Sequence, residues 1–124
     1  MNPIKIGLIG FGRMGGFYLD EMLKSGKWEI AYACDLSPES RALARRLVPG
    51  ARIVSDEQII FDDPGVQAVG LFALADSRKE QIAKAVAAGK HIISEKPIAE
   101  SIEKEWQAVE LAEKSDVLST VNLY

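Results

Sequence analysis

Three short stretches of this 124-residue chain carry side chains or glycines whose spacing can do chemistry. Gly10-Phe11-Gly12-Arg13-Met14-Gly15 fits G-x-G-x-x-G between a β-branched apolar run and an amphipathic one. In such a turn the first glycine permits a tight bend and the second lets backbone approach a pyrophosphate. The third allows the helix to pack closely on its strand. The helix N-terminus behind the turn supplies N–H donors and partial positive charge. A glycine-rich turn that binds nothing is the plain alternative, and context decides between them. Asp35 provides that context, twenty residues after Gly15 and at the end of a second apolar run. A carboxylate there accepts hydrogen bonds from adenosine ribose hydroxyls and repels a 2′-phosphate. Leu36 adds no positive charge, although Arg41, one helical turn beyond, has the reach to meet a phosphate. NAD is expected over NADP. The third stretch is Ser94-Glu95-Lys96-Pro97, closing a short apolar strand. A lysine near a cofactor ring can have its pKa depressed and can exchange a proton with a substrate oxygen. By spacing alone, a strand-end lysine is more often a solvated charge.

Other reactive residue types read as structural. Cys34 has nothing local to lower its pKa and suits a small buried strand position. His91 opens a strand at the end away from the other candidates. Trp106 falls on the apolar stripe of a helix, with Ile102, Val109 and Ala112, and is expected in the core. One Cys with one His is a poor basis for a metal site, and none is expected.

The elements that must position these residues alternate short apolar runs with helical ones. Strands are expected over 4–9, 28–34, 52–55, 66–73, 91–94 and 117–123. Helices are expected over 14–25, from the N-cap Ser37 with Pro38 to about 48, over 77–88, and after the cap Ser101. A weak helical turn lies before Asp62-Asp63-Pro64-Gly65. Alternation of this kind implies right-handed βαβ units and a doubly wound parallel α/β sheet, a Rossmann fold of six strands ordered 3-2-1-4-5-6. Its ligand crevice lies beyond the carboxyl ends of strands one and four, beside Gly10–Gly15 and Ala73–Asp76.

Composition fits one globular domain. Apolar residues make up 48% and charged residues 27%, with a net charge of −3, which argues against nucleic-acid and anionic-membrane partners. The longest apolar run, residues 68–75, is far short of the roughly 20 residues of a membrane span. The N-terminus does not read as a signal peptide, and a cytoplasmic location is expected.

In order and spacing, Gly7–Gly15, Ala33-Cys34-Asp35 and Ala88–Pro97 resemble the glucose–fructose oxidoreductase/inositol dehydrogenase/rhizopine catabolism family. The likeness covers the whole chain, and Gly-Lys-His…Glu-Lys-Pro is its most specific part. Members are NAD(P)-dependent oxidoreductases that often act on sugars, polyols or their derivatives. The resemblance implies that Lys96 is the catalytic lysine near nicotinamide and substrate hydroxyl, and that Glu95 lines the cofactor pocket. Asn122 matches an asparagine common near the end of strand six. Ala73 and Leu74 then join Gly10–Gly15, Asp35 and Leu36 along the cofactor, and a cis Lys96–Pro97 bond is expected. Two departures matter. Members usually carry Thr-Pro-Asn after strand four and a histidine beyond it, whereas this chain reads Ala73-Leu74-Ala75-Asp76-Ser77-Arg78, with Arg78 in the histidine's place. The family's second α/β domain, which supplies the substrate pocket, is also absent from this sequence. The chain is therefore expected to bind NAD without turning over alone, and its uncovered apolar surface to favour self-association. The alternative is a stand-alone NAD-binding or sensing module without catalysis.

Overall fold

Six parallel strands make one sheet in the order β3-β2-β1-β4-β5-β6 in the computed structural model. The model describes residues 2–122, and of residues 13–17 the backbone only. Along the chain run β1 (Ile4–Ile9), α1 (Arg13–Ser25), β2 (Trp28–Cys34), α2 (Pro38–Leu47), β3 (Arg52–Val54) and α3 (Gln58–Asp62). Then come β4 (Ala68–Leu71), a 3₁₀ turn (Ala75–Ser77), α4 (Arg78–Ala87), β5 (His91–Ser94), α5 (Ile102–Glu113) and β6 (Ser119–Val121). The expected strand order is the observed one.

Side chains alternate across the sheet, as the two-residue period of a strand requires. Ile6, Leu8, Ile30, Ala33 and Ala68 pack with Phe11, Leu19, Met22 and Ala44 on the face covered by α1 and α2. Ile9, Tyr32, Cys34, Val69 and Leu71 pack with Ile60, Phe61, Ile82, Ala85 and Ala108 on the other face, under α3, α4 and α5. Each fully buried aliphatic side chain contributes about 1.5–3 kcal/mol. All four residues of β4 are buried, so the chain's most apolar stretch sits mid-sheet. Strand four is shorter than the expected 66–73: the Phe72 N–H still bonds the Ile9 carbonyl, and from Ala73 the backbone turns against Gly10 to form the crevice wall. Strand six is shorter than 117–123, and Leu123 lies outside the described residues.

One expectation about the core fails. Ala108 is the buried residue of α5, whereas Trp106 is 65% exposed and Ile102 75% exposed. Trp106 stands about 200° around the helix from Ala108. The physical reason is the seat beneath: β6 is three residues long with Ser119 and Thr120 exposed. That edge accepts the narrow ridge of Ala108, Val109 and Ala112 and leaves the wider apolar stripe overhanging.

The Gly89-Lys90-His91 stretch shapes the amino ends of the strands, away from the crevice. Lys90 is buried, and its Nζ donates to the carbonyls of Asp63 and Val66, each at 2.7 Å. His91 is exposed, and its Nδ1 accepts the Leu118 N–H, as a structural histidine should. Among the described residues no helix is long and apolar enough to cross a membrane.

Candidate functional site

The strand order reverses at β1, whose carboxyl end meets that of β4. Gly10 ends β1 with φ +84°, a left-handed conformation that glycine adopts without steric cost. A Cβ on Gly10 would lie 2.4 Å from the Ala73 nitrogen, so the loop after β4 touches bare backbone. The Gly10 N–H donates to the Cys34 carbonyl at 2.8 Å, and the Phe72 N–H to the Ile9 carbonyl at 2.8 Å. The turn is thus tied to both neighbouring strands. Gly12 is different: a Cβ there would meet nothing within 4 Å. It is the N-cap of α1, with no side-chain cap and no acid in the first turn. The positive end of that helix is left facing the crevice. The side chains of Arg13 and Met14, and the close packing expected of Gly15, lie outside the described residues.

Phe11 is fully buried and anchors the turn in the core. Its N–H donates to Asp35 Oδ2 at 2.9 Å, and the Ser37 N–H donates to Asp35 Oδ1 at 2.9 Å. The half-buried Asp35 carboxylate thereby holds the glycine turn and the β2–α2 loop together, and each oxygen keeps a further lone pair. Arg41 does not stand free for a phosphate. Its Nη1 donates to the carbonyls of Asp35 and Leu36, both at 2.9 Å. Leu36 is 85% exposed beside it. Ser37 caps α2 as expected, accepting the Ser40 N–H. Cys34 is buried, and burial pushes its thiol up to about 11, which suits a structural role.

The other wall comes from the ends of β4 and β5. Leu74 is exposed, and Glu95 is buried. Glu95 Oε1 accepts the Lys96 N–H at 3.1 Å, while its buried Oε2 has no hydrogen-bond partner in the structure. Lys96 is exposed, and the Lys96–Pro97 peptide is cis, as the resemblance implied. The half-buried Asn122 follows β6 and donates its N–H to the Ser94 carbonyl at 2.9 Å. Arg78, which stands in the place of the family's histidine, lies behind the crevice wall, 1% exposed. Its Nη1 donates to the Glu95 carbonyl at 2.6 Å and to the Pro97 carbonyl, and its Nη2 donates to the Ala73 carbonyl. Burial pushes its guanidinium below the ordinary arginine value, opposed by the charge of Glu95. A signal for this was present: Arg78 shares the inward helical stripe of Ile82 and Ala85.

Concavity alone would point elsewhere. A hollow of about 450 Å³ lies between α4 and α5, lined by Lys79, Val86, Gln107, Glu110, Leu111, Lys114 and Ser115. The glycine turn, the Asp35 carboxylate and the orphaned Glu95 oxygen converge instead at the strand ends. A bare glycine cradle, a positive helix end and a carboxylate at the end of the second strand are what a dinucleotide requires.

Comparison with known proteins agrees. Residues 4–123 match the family described as "Oxidoreductase family, NAD-binding Rossmann fold". The inositol 2-dehydrogenase 2 of Saccharopolyspora erythraea is 36% identical over 109 residues, covering 86% of this chain and 32% of that protein. The inositol 2-dehydrogenase/D-chiro-inositol 3-dehydrogenase of Lacticaseibacillus casei is 28% identical over 103 residues, covering 81% of this chain and 30% of its own. Among solved structures, the WlbA dehydrogenase of Bordetella pertussis, in complex with NADH and UDP-GlcNAcA, superposes with a TM-score of 0.89 at 26% identity. That match covers 98% of this chain and 38% of the other. The chain spans about a third of the length of the curated relatives it matches.

Proposed function

Because the chain belongs to the glucose–fructose oxidoreductase/inositol dehydrogenase/rhizopine catabolism family, with its NAD-binding Rossmann fold, we propose that it is the nucleotide-binding part of a sugar or polyol oxidoreductase. A nicotinamide held there would supply hydride chemistry, taking hydride from a hydroxyl-bearing carbon or delivering it to the corresponding carbonyl carbon. The substrate pocket then belongs to a second domain in a longer protein, consistent with the length of the relatives.

The observation that carries the proposal is the Asp35 carboxylate, held by Phe11 and Ser37 against the glycine turn. Its remaining lone pairs accept the adenosine ribose hydroxyls. Its charge opposes a 2′-phosphate, and Arg41 is engaged by loop carbonyls, so NAD is preferred to NADP. Gly12 and the first turn of α1 receive the pyrophosphate, with Arg13, Met14 and Gly15 following behind. The Phe11 N–H is already taken by Asp35, so Phe11 serves by anchoring the turn. The exposed Leu36 and the Ala73–Leu74 loop border the adenosine from its two sides. Glu95 and Asn122 lie toward the nicotinamide end, where the buried Glu95 Oε2 awaits a donor. Lys96 gives a proton to, or takes one from, the substrate oxygen as the hydride moves. A sugar or polyol substrate is what the inositol dehydrogenases among the relatives support.

Calorimetric titration of the chain with NAD and NADP tests this. Asp35→Ala should weaken NAD binding by about 1–3 kcal/mol, the usual loss for a hydrogen-bonding carboxylate, and narrow the preference over NADP. Unchanged NAD affinity in that variant would overturn the assignment.

A further inference from the structure

Arg78 opens α4 in the position of its inward-facing stripe, and its side chain runs beneath the strand ends at 1% exposure. A cation taken so far out of water needs partners for its N–H groups. Among the described residues it makes no salt bridge to a carboxylate within 4.0 Å; its Nη1 and Nη2 donate to backbone carbonyls, while its buried Nε makes no hydrogen bond. Those carbonyls belong to two separate segments. Ala73 lies in the loop after β4, and Glu95 and Pro97 bracket Lys96 after β5. A planar guanidinium presents its donors in a fixed fork, so groups bonded to one fork cannot shift independently.

The turn around Lys96 is also held from the side. The Glu95 carboxylate accepts the Lys96 N–H, while Arg78 takes the carbonyls on either side of it. The backbone of Lys96 is therefore fixed through both neighbours, with its side chain exposed above. Were Arg78 only filling space, an apolar chain of its length would avoid the cost of burying a charge. The acceptors it has instead are in the two segments that form one wall of the crevice.

We propose that Arg78 is a positioning residue: it locks the loop after β4 to the Glu95–Pro97 turn and so sets where the Lys96 ammonium stands over the crevice. The consequence for proton transfer rests on the reading of Lys96 given above, whereas the lock itself does not.

The test uses the 124-residue chain, Arg78→Met and Arg78→Lys. Amide hydrogen exchange is followed at Lys96 and, as reporters of global opening, at Leu8, Val69 and Ile92. In parallel, lysines are ¹³C-dimethylated and the Lys96 methyl signal, assigned with Lys96→Gln, is recorded with and without saturating NAD. Arg78→Met should raise exchange at Lys96 by about tenfold relative to the reporters. It should also abolish the NAD-induced movement of the Lys96 signal while NAD still binds. Arg78→Lys keeps the charge but loses the fork, and should fall between the two. A merely structural role would move all four amides together and leave the Lys96 signal responding as in the unaltered chain; that result overturns the proposal. Should Arg78→Met fail to fold, Arg78→Lys carries the same local-against-global comparison. Failure of the unaltered chain to bind NAD would overturn the function proposed above, and the amide comparison would still decide the lock.

Discussion

At the ends of β1 and β2 the crevice is built from short residues and backbone amides. At the ends of β4 and β5 it is built around one long buried side chain. Gly10 bends, Gly12 leaves space, and the Asp35 carboxylate collects two N–H groups. On the opposite wall, Arg78 donates into carbonyls from beneath. The polarity of the two devices is reversed. The first wall gathers backbone donors around an anion and leaves a helix N-terminus open, which suits phosphate and ribose. The second gathers backbone acceptors around a cation and leaves a lysine on top, which suits a proton carrier. The difference teaches that one crevice can be braced by opposite charges, one half-buried at its surface and one fully buried behind its wall.

The seam between the walls is where the comparison breaks most readily. Gly10→Ala forces a Cβ into the Ala73 backbone at a positive φ. The left-handed conformation alone costs about 1–2 kcal/mol and overpacking adds about 1–3, so the denaturation midpoint should fall by the equivalent of about 2–5 kcal/mol. Gly12→Ala affects the first wall alone. The open space around it means that stability should change by less than about 1 kcal/mol. Calorimetry should nonetheless show NAD affinity reduced by about 1–3 kcal/mol, because the Cβ occupies the line of approach. Equal losses of stability in the two variants would erase the distinction between a seam glycine and a cradle glycine.

The smallest effect probes the sheet beneath Asp35. Burial raises the Cys34 thiol from 9.0 to about 11. Between those values the unfolded chain has lost the proton that the folded chain keeps, so stability should fall as pH rises. The loss should reach about 1 kcal/mol near pH 10. Urea titrations at pH 8 and pH 10 should show it, and Cys34→Ala should remove that part of the slope.

What could be read from sequence follows the same division. β1, β2 and β5 have the expected bounds, because β-branched runs closed by Gly10, Asp35 and Glu95 leave little latitude. The capped start of α2 was legible because Ser37 and Pro38 act within one turn. The places of Gly10, Gly12 and Asp35 beside one another were legible because a tight turn and a strand-end carboxylate are set by local spacing. The inward face of Arg78 was legible from its helical stripe, but its bonds were not: its partners lie 5, 17 and 19 residues away, and only the folded sheet brings them under one guanidinium. Trp106 misled because helical spacing shows that a stripe is apolar, whereas the short β6 decides how much of it finds a seat.

The sheet order also bears on how the chain assembles during synthesis. β1 pairs with β2 along one edge and with β4 along the other, with Ile6 opposite Ala68. The first pairing closes a short crossover, and the second must close a loop of about sixty residues, which is entropically costlier and slower. A nascent chain can form β1, β2 and β3 while β4 is still within the ribosome. Until Leu71 has emerged, Ile4–Ile9 presents a bare, apolar strand edge, which invites mispairing with other chains. β1, though made before β2, is thus enclosed after it, and its protection depends on how quickly translation delivers β4.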